Sequence, residues 1–181
     1  SMVHGKTKTV GFVVGDIENP FFSNLVMNIN ALISPQAYTM MVYTTNENLD
    51  EEIHGVETLL SKQVDGLIIA PCSSQNYSHI VEAHNSGTAV VLVDRVPDSL
   101  NIDSVRVGNA LAIQNAMQHL FDLGHRKIGF LSDSLDIASN RERLKGFREA
   151  YQEQSLSLDP ELIKITGHTV LDGYRGSVSL L

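Results

Sequence analysis

Apolar, β-branched runs alternate with stretches of three- and four-residue apolar spacing along the whole chain, and few folds accept that alternation. The first run contains Val10, Phe12, Val13 and Val14 and is apolar on successive residues, as a strand covered on both faces must be. It stops at Gly15-Asp16. Asn19 then precedes Pro20, an N-cap followed by proline at the first helical position, where a missing N–H costs nothing. The spacing of Phe22, Leu25, Val26, Ile29, Leu32 and Ile33 predicts a helix over 20–34 with one apolar face. The pattern recurs, with strands expected at 38–44, 64–71, 89–93, 104–107, 127–131 and 162–166 and helices between them. Asp50, Glu51 and Glu52 enrich one helix start in acid, as the helix dipole favours. Asn109 is expected to cap a later helix and Gly124 to end it. Strands alternating with helices predict an α/β fold, parallel sheets covered by helices on both faces.

Composition narrows the function classes. The formal net charge over 181 residues is −8, a poor electrostatic match for nucleic acid or an anionic membrane. The single cysteine, Cys72, excludes an internal disulfide and reads as a small residue after a strand. No apolar stretch approaches a membrane span and no signal peptide is visible, so a cytoplasmic protein is expected. No G-x-G-x-x-G, Walker loop or G-x-S-x-G is present. The seven histidines do not pair at ligand spacing, and surface or capping roles are expected for all of them. Asp16 and Asp94 resemble half of a phosphoryl-accepting cluster, but no lysine stands after a suitable strand. The chain is therefore expected to be no enzyme, with no cofactor and no metal.

In open parallel sheets, ligands bind beyond the carboxyl ends of the strands. Asp16, Asn19, Phe21 and Phe22 follow the first strand, and Asp94 ends the fourth. Two consecutive phenylalanines at a helix start cannot both enter one core, so one of them faces the ligand side. The plainer readings are a turn residue for Asp16 and a helix cap for Asn19.

Several separated stretches, in order, resemble the effector-binding core of the lactose-repressor (LacI/GalR) family of bacterial transcription regulators. Asp16 to Phe22, DIENPFF, is similar to D-x-x-N-P-[FY]-F. Leu60 to Ile68 is similar to L-x-x-[KR]-x-V-D-G-[IL]-I, and Val91 to Arg95 to a strand ending in Asp-Arg. Leu123 to Phe130 resembles L-G-H-[RK]-x-I-[GA], and Arg141 to Phe147 resembles R-x-R-x-x-G-[FWY]. Gly173-Tyr174 is a weaker point of likeness.

The resemblance implies a type I periplasmic-binding-protein-like fold of two subdomains with a ligand cleft between them, the second incomplete. It implies a leader at 1–7 from an absent DNA-binding head, an amino-terminal subdomain at 8–123 and a partial carboxy-terminal one at 124–181. Carried over position by position, it places ligand contacts on Asn19, Phe21, Phe22, Asp94, Ser139 and Arg143. Ser139 is alternatively a helix cap, and Arg143 a member of a solvent ion pair. Ile137 and Ala138 stand where some relatives carry an arginine, which favours a carbohydrate effector over a purine. The implied partners are that small molecule, operator DNA through the absent head, and a second copy in a homodimer. A sugar-binding protein of a transport system shares the fold and is the alternative. Helices and strand edges covered in the longer family core would be exposed here, which predicts self-association.

Overall fold

The computed structural model describes residues 5–97 and 99–181. They form two compact units, divided between Arg106 and Val107.

The first unit holds a five-stranded parallel sheet, ordered β2-β1-β3-β4-β5. Its strands are β1 (Thr9–Val14), β2 (Thr39–Thr44), β3 (Gly66–Ile69), β4 (Ala89–Val93) and β5 (Ser104–Val105). The helices are α1 (Pro20–Ile33), α2 (Leu49–Ser61) and α3 (Ser78–Asn85). Side chains alternate across a strand, so β1 feeds two cores. Phe12 and Val14 pack with Phe22, Leu25, Val26 and Ile29 of α1. Val13 packs with Val56 and Leu59 of α2 and with Ile80 and Ala83 of α3. Helices on both faces explain why Phe12, Val13 and Val14 all have zero exposure. Gly11 lies on the α2 side, where a Cβ would stand 2.8 Å from Leu59 and Leu67. The helix starts are chemically marked: the Asn19 side chain accepts from the Phe21 N–H, and Asn48 from the Glu51 N–H. The edge strand β2 keeps Met41 and Val42 exposed.

The second unit contains α4 (Asn109–Asp122), β6 (Phe130–Ser132), α5 (Ala138–Glu153), β7 (Ile163–Ile165) and α6 (Val170–Val178). β6 and β7 pair in parallel. Phe130 of β6 packs with Met117 and Phe121 of α4 and with Leu144, Phe147 and Tyr151 of α5. Its neighbour Leu131 points the other way, against Gly176 of α6. The α4–α5 contact is intimate because Gly146 has no side chain; a Cβ there would strike the backbone of Ala110. Alongside it, Asn109 Nδ2 donates to Glu142 and Gln114 Nε2 to Glu149, each at 2.8 Å. Tyr151, 1% exposed, brings its hydroxyl with it: the oxygen accepts from the Ile128 N–H at 3.0 Å.

The sequence reading differs from this in several places; the strand expected at 127–131 is β6, which starts only at Phe130. The division precedes α4 rather than falling at Gly124, because α4 packs on α5. Asn109 is the first residue of α4 and not its cap; Gly108 holds that position, and the Asn109 amide serves Val107 and Glu142 instead. Ser139 is likewise inside α5, whose cap is Ile137 with no side-chain bond.

Candidate functional site

The carboxyl ends of β1, β2 and β4 bring together most of the residues singled out in the first unit. The β1–α1 turn starts at Gly15. Asp16 Oδ1 accepts the Glu18 N–H at 2.8 Å, and the Asp16 carbonyl accepts the Asn19 N–H at 3.3 Å. Asp16 is thus a turn-former whose carboxylate stays exposed, and Asn19 caps α1 at 3.0 Å from the Phe21 nitrogen. The two phenylalanines divide as their adjacency requires. Phe22 is 1% exposed in the core, Phe21 is 42% exposed, and the rings meet edge-on at 5.1 Å. The flat apolar face that a ligand could use is therefore Phe21; the Phe22 ring is taken up by the protein.

What takes it up was not read from the sequence. The Arg95 guanidinium lies over the Phe22 ring, 5.1 Å from its centre, close enough for a cation–π contribution. The same guanidinium forks onto Glu47, with Nη2 donating to Oε1 at 2.8 Å and Nη1 donating to Oε2. Both side chains are nearly buried, at 11% and 13% exposure. Asp94 stands beside them, its Oδ2 3.8 Å from Arg95 Nε. Its own backbone N–H donates to the Val105 carbonyl at 2.9 Å. Glu47 and Asp94 adopt left-handed backbone, at φ 58° and 63°, as does Asn46 beside Glu47, at 50°. Such conformations cost free energy in residues other than glycine and persist where the surroundings enforce them. The ion pair holds Glu47 at one of these positions, and its carboxylate explains Gly15: a Cβ there would run into it. The only sequence signal was opposite charge just past β2 and β4, strands not adjacent in sequence or in the sheet.

A second cluster braces the site from behind. Glu52, in the first turn of α2, has zero exposure. Its Oε2 accepts the Cys72 N–H at 2.6 Å and its Oε1 lies 2.7 Å from His79 Nε2 on α3. Glu52 is therefore not a surface acid serving the helix dipole, and His79, 8% exposed, is not a surface or capping histidine. A buried carboxylate needs donors, and these tie the β3–α3 loop to α2. Burial, reinforced by the Glu52 charge, pushes the Cys72 thiol well above its ordinary range, so it remains protonated.

In the second unit, Ser139 is 2% exposed near the start of α5. Arg143, one turn on, is half-buried, and its Nη1 donates to Asn140 Oδ1 at 2.8 Å. That bond is to a neutral amide and holds the guanidinium without neutralising it; it is not the solvent ion pair of the alternative reading. Among the described residues, no group of three His, Cys, Asp or Glu side chains is placed to hold a metal ion, and no helix is long and apolar enough to cross a membrane.

Residues 7–169 match the family described as periplasmic binding proteins and sugar binding domain of LacI family. The chain belongs to this family. Among its relatives, the HTH-type transcriptional repressor PurR of Aliivibrio salmonicida is 32% identical over 87% of this chain and 47% of its own length. Catabolite control protein A of Priestia megaterium is 30% identical over 97% of this chain and 53% of its own. The crystal structure of transcription regulator CcpA of Lactococcus lactis superposes with a TM-score of 0.85 at 28% identity, covering 95% of this chain and 63% of that one. The chain thus spans about half the length of the LacI-family repressors it matches. Its fold is that of the periplasmic-binding-protein-like domain of these LacI-family proteins.

Proposed function

We propose that this domain binds a carbohydrate or sugar-phosphate effector and, by closing on it, alters DNA binding by a helix-turn-helix segment elsewhere in the protein. The observation that carries this reading is the convergence, at the carboxyl edge of the first unit's sheet, of an exposed aromatic face and carboxylates inside a family match that includes sugar-binding domains. Phe21 covers the apolar face of a sugar ring. Asp16 and the largely buried Asp94 accept hydrogen bonds from ligand hydroxyls, and the Asn19 amide adds a polar contact. Within the second unit, taken by itself, the half-buried Arg143 offers a guanidinium fork suited to hydroxyl or phosphate oxygens, with Ser139 buried one turn before it. Phe22, Arg95 and Glu47 set the shape of the site without touching the ligand. Two solved proteins of the same fold hold such molecules: transcriptional regulator CelR is a cellobiose complex, and Cra of Pseudomonas putida a complex with fructose 1-phosphate. Coupling to DNA requires the effector to favour one arrangement of the domain, typically by about 1–3 kcal/mol.

The test is a thermal-shift screen with pentoses, hexoses, disaccharides, sugar phosphates and purines. A ligand at a hundred times its Kd stabilises the native state by about 2.7 kcal/mol, a readily measured rise in midpoint. The expected hit is a carbohydrate whose effect saturates and is lost in Arg143→Ala and in Phe21→Ala. A saturating hit that survives both substitutions removes these residues from the site, and a hit confined to purines overturns the carbohydrate reading.

A further inference from the structure

The opposite end of the sheet carries a device that the candidate site does not use. The residues entering β1 would be expected to fray, as chain ends do unless tied down. One carboxylate supplies most of the ties. Asp65 Oδ1 accepts the Thr7 N–H at 2.8 Å and the Thr7 hydroxyl at 3.0 Å, and Asp65 Oδ2 accepts the Lys8 N–H at 3.1 Å. The Thr7 hydroxyl also lies 2.8 Å from the Gln63 carbonyl, and the Asp65 N–H donates back to the Thr9 carbonyl at 2.7 Å. Lys8 is held in the left-handed region, φ 55°, so the chain turns sharply as it enters the strand. Its ammonium sits over the Tyr38 ring at 4.5 Å, and its carbonyl accepts the Thr39 N–H at 2.8 Å.

The anchor is itself rigid. Asp65 lies between Val64, buried in the core, and Gly66, the first residue of β3. Gln63, at φ 57°, fixes the turn out of α2. Thr7 and Lys8 are therefore held chiefly by bonds to a group built into the sheet; Gly5 and Lys6, just ahead of them, are exposed.

We propose that Asp65 is a positioning residue that fixes the direction in which preceding chain leaves the first unit, coupling movement of this unit to whatever that chain carries. This rests on the regulator reading above. A flexible leader would let the unit move without moving its cargo; an anchored one transmits the motion.

Two experiments separate the anchor from the reading beneath it. The first uses the chain itself and follows amide exchange at Thr7 and Lys8 by NMR, with Phe12 and Val13 as internal references. In Asp65→Ala, exchange at Thr7 and Lys8 should rise at least tenfold while the references keep their protection. Asp65→Asn, which retains one acceptor oxygen, should fall between. Unchanged protection of Thr7 and Lys8 in both variants overturns the anchor. Should Asp65→Ala fail to fold, Asp65→Asn and Thr7→Val carry the test in the same readout.

The second uses the full-length regulator, the DNA upstream of its own gene, and the compound giving the largest saturating thermal shift. In the better-folded Asp65 variant that compound should still raise the midpoint as in the parent. Its effect on DNA affinity should shrink at least fivefold. An undiminished effect, with the leader shown to be loose, overturns the coupling. If no compound shifts the parent's midpoint, the regulator reading fails while the exchange experiment still decides the anchor.

Discussion

Glu47 shows how much a single residue holds in place here. Its carboxylate satisfies the Arg95 fork, fills the space above Gly15 and keeps its own backbone left-handed. Removing one member of a nearly buried ion pair leaves the other uncompensated, which costs about 3 kcal/mol. Glu47→Ala should therefore lose about that much in urea unfolding, and Arg95→Ala a similar amount. The double variant should cost less than the sum, because each single change already breaks the same pair. A strictly additive cycle would show that the two charges do not act together. This pair was invisible in the sequence for a plain reason: its members lie 48 positions apart, and no local rule links them. Asn19 is the opposite case. A cap bonds only to residues two or three ahead, so Asn-Pro-Phe-Phe was enough to place it. Glu52 misled because an acid in a first helical turn has a sufficient local explanation; its real partners, His79 and Cys72, come from elements that only the folded sheet brings close.

Among the elements, α4 and α5 form the closest pairing, and one glycine permits it. Gly146 faces the carbonyl and Cα of Ala110, backbone atoms that cannot swing aside as a side-chain end could. Gly146→Ala must push the helices apart, straining the Asn109–Glu142 and Gln114–Glu149 bonds beside it. Overpacking of this kind costs about 1–3 kcal/mol, and the rigid neighbour sets the expectation near the top of that range. The measurement is a shift in the thermal midpoint of Gly146→Ala; a change within error would mean that the helices can separate freely. Sequence periodicity foresaw helices in both places. It could not assign α4 to the second unit, because an apolar face does not say which sheet it will meet. The misjudged cap at Asn109 has the same origin: a residue suited to capping was drawn into a tertiary role inside its helix, bonding Glu142.

Across the whole molecule, the parallel sheet was the most legible feature, since strand and helix patterns alternate throughout and each strand's two faces can be counted. Surface chemistry was less so. Met27 and Leu32 on α1, with Met41 and Val42 on the edge strand β2, leave apolar side chains and an unpaired strand edge in solvent. Val170, Leu171, Tyr174 and Val178 do the same along α6. Surfaces of this kind associate. Light scattering on the isolated chain should show species larger than a monomer at high concentration, reduced by Met41→Lys or Val42→Lys if β2 is the contact; a clean monomer throughout would exclude it. The parallel arrangement has a mechanical consequence as well. β1 joins the Asp65 anchor at its amino end to the Gly15 turn at its carboxyl end and is flanked by paired strands on both sides. Its six residues make a stiff rod of about 20 Å. A tilt of only about 10° over that length displaces one end by about 3 Å relative to the other, roughly the width of a hydrogen bond. The strand thus joins the Gly15 turn at one end to the residues bonded by Asp65 at the other, in one stiff piece.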